Sequence, residues 1–145
     1  MTTTDNPTFQ KFIIEGVKHI TPAEAMDMLE KKEAILIDVR EQDELQVESI
    51  PLDNILNHPM SVILDRLPYI SKDQNIILGC AGGIRSSKVA NLMSKQGYPH
   101  VANLDGGFTE WKAQGLPMKT NLTFSVGCGC GCSSTTSDES KGSCC

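Results

Sequence analysis

The segment that decides the fold reads Asn75-Ile-Ile-Leu-Gly-Cys80-Ala-Gly-Gly-Ile-Arg85-Ser-Ser-Lys-Val-Ala-Asn-Leu-Met-Ser-Lys-Gln96. The apolar, β-branched run from Ile76 to Leu78 predicts a buried strand. Gly82 and Gly83 predict a tight loop, because glycine accepts backbone angles that other residues resist. The apolar spacing that follows predicts a helix that starts at Ser86, with the Ser86 side chain as its cap. The segment therefore predicts a strand, a loop and a helix in succession.

A cysteine opens this loop. Backbone N–H groups of such a loop point inward and the helix N-terminus adds partial positive charge, so the thiolate of Cys80 should be favoured and Cys80 is a candidate nucleophile. Arg85 adds a cation with a planar donor group that suits an oxyanion. The alternative is a buried structural cysteine before an ordinary glycine turn, but the combination of residues favours the nucleophile. The candidate active-site loop consists of Ala81, Gly82, Gly83, Ile84 and Arg85.

Two further motifs flank this segment in the chain. Leu36-Ile-Asp38-Val-Arg40-Glu41 comes before it, and Asn103-Leu-Asp105-Gly106-Gly107-Phe-Thr-Glu-Trp111 comes after it and closes on Gly115-Leu116-Pro117. In this order and spacing, roughly from Val17 to Met118, the motifs resemble those of the rhodanese family of sulfurtransferase domains. The sequence departs from the family at residues 48–53, where Glu48-Ser49-Ile50-Pro51-Leu52-Asp53 stands in place of Gly-His-Ile-Pro-Gly-Ala.

The resemblance implies an α/β fold, with one parallel sheet and helices on both of its faces. It also implies a sulfurtransferase that carries sulfane sulfur as a persulfide on Cys80. The implied donor is small, such as thiosulfate or polysulfide, and the implied acceptor is cyanide, a thiol or a protein cysteine. No cofactor is implied. Asp38 and Arg40 follow a predicted strand, at the edge where ligands of open sheets bind. We favour a supporting role for them, in tying loops together, over a role as substrate ligands. The supporting residues expected are Asp38, Arg40, Ser86 and Asp105.

Rival functions use the same residues differently. Cysteine phosphatases also place a cysteine before an anion-binding loop that ends in arginine, but their loop is one residue longer than the segment between Cys80 and Arg85. The shorter loop leaves a smaller cradle, which suits one sulfur atom better than a phosphate. A regulatory domain without turnover would not need Cys80.

The other cysteines lie in a C-terminal segment of different composition. This segment includes Cys128, Cys130 and Cys132 in Cys-X-Cys spacing. Such thiolates could chelate a soft metal, accept sulfur from Cys80, form disulfides or do little. The alternative function is therefore a sulfur-carrier or soft-metal-binding module that works through this tail.

The length and the charge of the chain limit its domain organisation and its possible partners. The 145 residues suit one domain, which we divide into an N-terminal arm (1–16), a rhodanese-like domain (17–120) and a flexible tail (121–145). The formal net charge of -5 and the absence of a basic run predict no nucleic-acid partner. No basic segment precedes an apolar one at the N-terminus and no apolar run would span a bilayer, so we expect a cytoplasmic protein with no membrane partner.

Overall fold

A five-stranded parallel sheet forms the centre of the computed structural model, which describes residues 3–120. The strand order is β1-β6-β5-β2-β4, so the strand that precedes Cys80 is in the middle. Its register places Leu36 beside Ile77 and Ile77 beside Ala102. The strands are β1 (His19–Ile20), β2 (Ile35–Asp38), β4 (Ile55–Asn57), β5 (Ile76–Gly79) and β6 (Val101–Leu104).

Helices cover both faces of this sheet, as the sequence predicts. α1 and α5 pack on one face, around Ile77 and Trp111, while α3 and α4 pack on the other, around Leu78 and Met93. Burial on both faces explains why the central strands are continuous apolar runs rather than alternating ones. The helices are α1 (Pro22–Glu30), α2 (Gln42–Val47), α3 (Ile63–Arg66), α4 (Ile84–Lys95) and α5 (Gly107–Ala113), and a 3-10 turn over Leu67–Tyr69 follows α3.

A small second sheet occupies the region where the sequence departs from the rhodanese pattern. β3 (Glu48–Ser49) pairs antiparallel with β7 (Lys119–Thr120), with Glu48 opposite Thr120. Ile50, which this sequence shares with the pattern, is buried in the core. In place of the family pattern this chain has a short ribbon that ties the end of the described residues to the segment after α2.

Candidate active site

Cys80 leaves β5 at the carboxyl edge of the sheet and is almost completely buried, with 1% of its surface exposed. Its Sγ accepts hydrogen bonds from the backbone N–H groups of Gly83, at 3.1 Å, and Ser86, at 3.4 Å. Both donors belong to the N-terminal turn of α4, where backbone N–H groups have no partner within the helix. The sulfur therefore lies where developing negative charge is stabilised by fixed donors and by the helix dipole.

The start of α4 corrects the sequence-based prediction. The helix begins at Ile84 rather than Ser86, so Ile84 and Arg85 belong to its first turn and not to the loop. Gly83 precedes it with a left-handed backbone (φ +91°) and no side-chain cap. Since the Cys80 sulfur accepts the first-turn N–H groups, it takes the place of the capping hydroxyl expected from Ser86. Backbone N–H groups of the loop from Ala81 to Arg85 were expected to face the Cys80 sulfur. Within this loop the N–H of Gly83 donates a hydrogen bond to Sγ, and the second donor is the N–H of Ser86, just beyond the loop.

Ser86 instead links the sulfur to a buried polar network. Its Oγ lies 3.4 Å from Cys80 Sγ and donates a hydrogen bond to Asn103 Oδ1. The Asn103 amide nitrogen lies 3.0 Å from His19 Nδ1. Because an amide NH₂ can only donate, His19 Nδ1 accepts and Nε2 carries the ring proton. Burial lowers the pKa of His19, against the opposing field of Asp105, so the ring is held neutral.

Sequence reasoning missed Asn103 and His19 as parts of the site. Both are polar residues inside strands that are otherwise apolar, and both are 2% exposed or less. A polar residue within a predicted buried strand could have been singled out from the sequence, because a buried polar side chain needs a hydrogen-bond partner.

The N-terminal arm completes the site through Gln10. Its amide nitrogen donates to Ser87 Oγ at 3.2 Å and to the Gly83 carbonyl at 3.4 Å. Its amide oxygen accepts from Asn103 Nδ2 at 2.9 Å and from the Gly106 N–H at 3.0 Å. One side chain thus joins the active-site loop, α4, β6 and the turn before α5. A Cβ at Gly83 would overlap this amide, which is a second reason for glycine at that position.

Asp105 fixes the same arm from the other side. Its carboxylate accepts hydrogen bonds from the backbone N–H groups of Thr8, at 2.6 Å, and Phe9, at 3.0 Å. Asp105 is itself 2% exposed, so these charge-assisted bonds satisfy a buried carboxylate. Asp105 therefore holds the N-terminal arm against the end of β6, and the supporting role expected from the sequence stays a prediction.

The start of α5 holds the active-site loop in position. The N–H of Phe108 donates to the Cys80 carbonyl at 2.8 Å, and the N–H of Thr109 donates to the Ala81 carbonyl at 3.0 Å. This approach requires glycine at position 107, where φ is +65° and a Cβ would lie 2.5 Å from the Cys80 carbonyl oxygen. The Gly106-Gly107 pair in the C-terminal motif thus acts through the backbone, by bringing α5 against the loop.

Asp38 and Arg40 form a buried ion pair next to these elements. The Arg40 Nη2 lies 2.8 Å from Asp38 Oδ2 and 3.0 Å from the Glu48 carbonyl, and the guanidinium stacks 4.6 Å from the centre of the Phe108 ring. The pair joins β2 to β3 and to α5, whose first residues hold the loop. This geometry agrees with a supporting role and gives neither side chain a free surface for substrate.

Arg85 points to a carboxylate of α2. Its Nη1 and Nη2 lie 2.7 and 2.9 Å from the two oxygens of Glu44, in a bidentate pair. The hydrogen bonds from Arg85 lower the pKa of Glu44 to about 2, and the same bonds raise the pKa of Arg85. Sequence reasoning expected Arg85 to meet an anion of the substrate or to orient the loop, and it did not identify Glu44 as the partner.

The cysteines of the tail, Cys128, Cys130 and Cys132, lie outside the described residues. Within residues 3–120, no group of three or more His, Cys, Asp or Glu side chains is placed to hold a metal ion. No helix in this range combines the length and the apolar character that crossing a bilayer requires.

Taken together, the fold and the site define a class of protein: an α/β domain with a parallel sheet and a buried cysteine whose sulfur accepts backbone N–H groups at the N-terminus of a helix. The chain belongs to the rhodanese-like domain family, whose profile matches residues 21–114.

Individual relatives agree with this assignment. Thiosulfate sulfurtransferase GlpE of Actinobacillus succinogenes is 32% identical over 102 residues, which cover 70% of this chain and 89% of that protein. A rhodanese-related protein of Thermoplasma volcanium superimposes with a TM-score of 0.63 at 28% identity, over 70% of this chain and 96% of its own. The tRNA uridine(34) hydroxylase of Erwinia tasmaniensis is 33% identical, but the match covers only 31% of that longer protein and 70% of this chain.

Proposed function

We propose that this chain moves sulfane sulfur from a small donor such as thiosulfate to cyanide or a thiol, through a persulfide on Cys80. That the chain is a sulfurtransferase follows from its family and from the relatives that bear this name over most of their length. The proposal adds the intermediate, the donor and the acceptor. The observation that carries it is the pair of backbone N–H groups, from Gly83 and Ser86, that point at Cys80 Sγ.

The reaction has two half-reactions. In the first, the Cys80 thiolate attacks the outer sulfur of thiosulfate, the S–S bond of the donor breaks and sulfite leaves with the bonding electron pair. The product is a persulfide anion on Cys80, with no net oxidation or reduction of the protein. In the second, cyanide attacks the outer persulfide sulfur, thiocyanate leaves and the thiolate returns. A covalent intermediate between two separate substrates predicts ping-pong kinetics.

The surrounding residues stabilise and position the sulfur rather than move protons. The N–H groups of Gly83 and Ser86 face Cys80 Sγ, which carries the negative charge as a thiolate before the first half-reaction and again when thiocyanate leaves. The Ser86 hydroxyl, 3.4 Å from Sγ, can rotate from Asn103 toward the anionic sulfur. A thiolate needs no general base, and the buried ring of His19 is separated from the sulfur by Asn103 and Ser86.

The test measures thiocyanate formation from thiosulfate and cyanide by the full chain. Cys80→Ser should abolish turnover, and mass spectrometry of the protein treated with thiosulfate alone should find one added sulfur atom on the peptide with Cys80. The matched control is the full chain with serine at positions 128, 130 and 132, which should keep both signals. Turnover that survives Cys80→Ser, or that is lost only in the control, would refute the proposal and favour a carrier that works through the tail.

A further inference from the structure

The loop that follows Cys80 carries little charge of its own. The segment from Ala81 to Ile84 has no ionisable side chain, so Arg85 is its first cation. Two of the three guanidinium nitrogens of Arg85, Nη1 and Nη2, are bound to Glu44, at 2.7 and 2.9 Å. The Arg85–Glu44 pair has a formal charge of zero, so Glu44 offsets the charge of the first cation that follows Cys80 in the sequence.

The pair is held from both sides. Glu44 belongs to α2 and also accepts a hydrogen bond from the backbone N–H of Glu41 at 3.1 Å, as part of a capping box. The pKa of Glu44 is lowered to about 2, chiefly by the bonds from Arg85, so the carboxylate stays ionised at every pH at which the enzyme would work. About one third of each side chain is exposed, so solvent and small ions reach the pair. The bonds to Glu44 and, after them, an interaction with Cys80 raise the pKa of Arg85, which links the pair to the sulfur.

An apolar groove of about 590 Å³ adjoins the same loop. It lies between the N-terminal arm, with Phe9 and Phe12, and the loop, with Gly82 and Ile84. Ile84 is 47% exposed and Phe9 43%, so apolar surface is presented directly beside the loop that holds the sulfur. Lys11 lines the groove as well and forms no ion pair with any of residues 3–120. The groove thus offers apolar walls and a single cation.

We propose that Glu44 sets the donor preference of this site: by neutralising Arg85 it disfavours the thiosulfate dianion and favours a sulfane donor with one negative charge and an apolar body, which binds in the groove beside Ile84. This inference rests on the proposed function, because it presumes sulfur uptake at Cys80. Glu44 is a positioning and selectivity residue that does not touch the reacting sulfur.

Organic thiosulfonates are the matched probes, because they form the same products with one charge fewer. The Cys80 thiolate attacks the outer sulfur of methanethiosulfonate, the S–S bond breaks, methanesulfinate leaves with the electron pair and the persulfide anion forms. Thiosulfate releases sulfite in the same step. The ratio of the two kcat/KM values therefore reports on donor charge, and the ratio of benzenethiosulfonate to methanethiosulfonate reports on the groove.

The charge test compares full-length Glu44→Gln with Glu48→Gln. Glu48 lies just beyond α2 and pairs with Lys112 at 2.8 Å, so its substitution removes the same charge without freeing Arg85. Glu44→Gln should raise the ratio of the kcat/KM value for thiosulfate to that for methanethiosulfonate roughly 2- to 5-fold, the order of magnitude expected for one unpaired unit charge in a partly solvated site. The rise should shrink in high salt and disappear when Arg85→Gln is added. Glu48→Gln should leave the ratio unchanged.

The groove test uses Ile84→Ser, with Leu64→Ser as the control, because Leu64 is 59% exposed on another helix. Ile84→Ser should lower the ratio of benzenethiosulfonate to methanethiosulfonate roughly 3-fold, through lost apolar contact. An unchanged charge ratio in Glu44→Gln, or an equal change in Glu48→Gln, would overturn the role of Glu44. An unchanged benzenethiosulfonate ratio would overturn the groove. Absence of a Cys80 persulfide from every donor would instead refute the proposed function.

Discussion

Gly107→Ala tests how closely α5 must approach the active-site loop. A Cβ at this position would lie 2.5 Å from the Cys80 carbonyl oxygen, 2.6 Å from the Ala81 carbonyl oxygen and 2.7 Å from the Gly83 nitrogen. All three are backbone atoms, which cannot turn away as the end of a side chain can. The loop or the helix must therefore move by about 0.7–0.9 Å to reach the 3.4 Å at which ordinary contact begins.

Two costs add at this position, and a control variant separates them. The left-handed backbone costs a non-glycine residue about 1–2 kcal/mol, and the overlap adds about 1–3 kcal/mol. Gly115 also has a left-handed backbone, with φ +76°, but a Cβ there meets nothing within 4 Å. Gly115→Ala should therefore show the first cost alone. The effect of alanine on the unfolded chain is common to both variants and cancels in the comparison.

The assays are urea unfolding and thiosulfate–cyanide turnover. We expect Gly107→Ala to lose about 1–3 kcal/mol more unfolding free energy than Gly115→Ala. We also expect kcat/KM to fall about 10- to 100-fold, because the Gly83 N–H that binds Cys80 Sγ is displaced and small misplacements of reacting groups are costly. Equal unfolding free energies for the two variants, together with turnover within about 2-fold of each other, would refute the view that α5 positions the loop by backbone contact.

Three further predictions concern the supporting residues. Asp38→Asn leaves the buried Arg40 guanidinium without its counter-charge and should lower the free energy of unfolding in urea by about 3–5 kcal/mol. The control Asp43→Asn, at an exposed position, should lower it little, and equal losses in the two variants would contradict this prediction. Burial lowers the pKa of His19 below 6.5, so the unfolded chain binds a proton that the folded chain excludes. The free energy of unfolding should therefore fall as pH drops below about 6.5, level off below the lowered pKa, and lose this dependence in His19→Gln; an unchanged slope would count against it. Asp105→Ala should speed hydrogen exchange of the two arm amides that bind the carboxylate by about 10-fold or more, and unaltered exchange would show that the arm is held otherwise.

The sequence predicted those helices and strands that are determined by residues close to one another in the chain. The sequence Thr21-Pro22 with Glu24 three residues after the threonine is a typical helix start, and in the structure Thr21 caps α1 through a bond from the Glu24 N–H, with Pro22 in the first turn. The apolar run before Cys80 became the middle strand of the sheet. These predictions succeeded because each depends on neighbours a few residues away or on burial of a whole segment.

The start of α4 could not be predicted in the same way. A serine before a helical pattern is a common cap, but here the acceptor for the first N–H groups is the sulfur of Cys80, which reaches them because Gly83 takes a left-handed backbone. The partners of Gln10 and Arg85 were also out of reach, since they lie 96 and 41 residues away in the chain. Pairings over such distances are set by the packing of the sheet and carry no local pattern.

The wide spacing of these partners also governs when the cysteine becomes reactive during synthesis. Gln10 leaves the ribosome early and Cys80 later, but Asn103 and the residues of α5 that hold the loop come last. N-terminal segments emerge first and contacts between distant residues form late, so the loop around Cys80 lacks the contacts that hold it until nearly the whole domain is available. The fold thus ties the assembly of the loop around Cys80 to the synthesis of α5, and a truncated chain that ends before β6 would lack both Asn103 and the backbone contacts from α5.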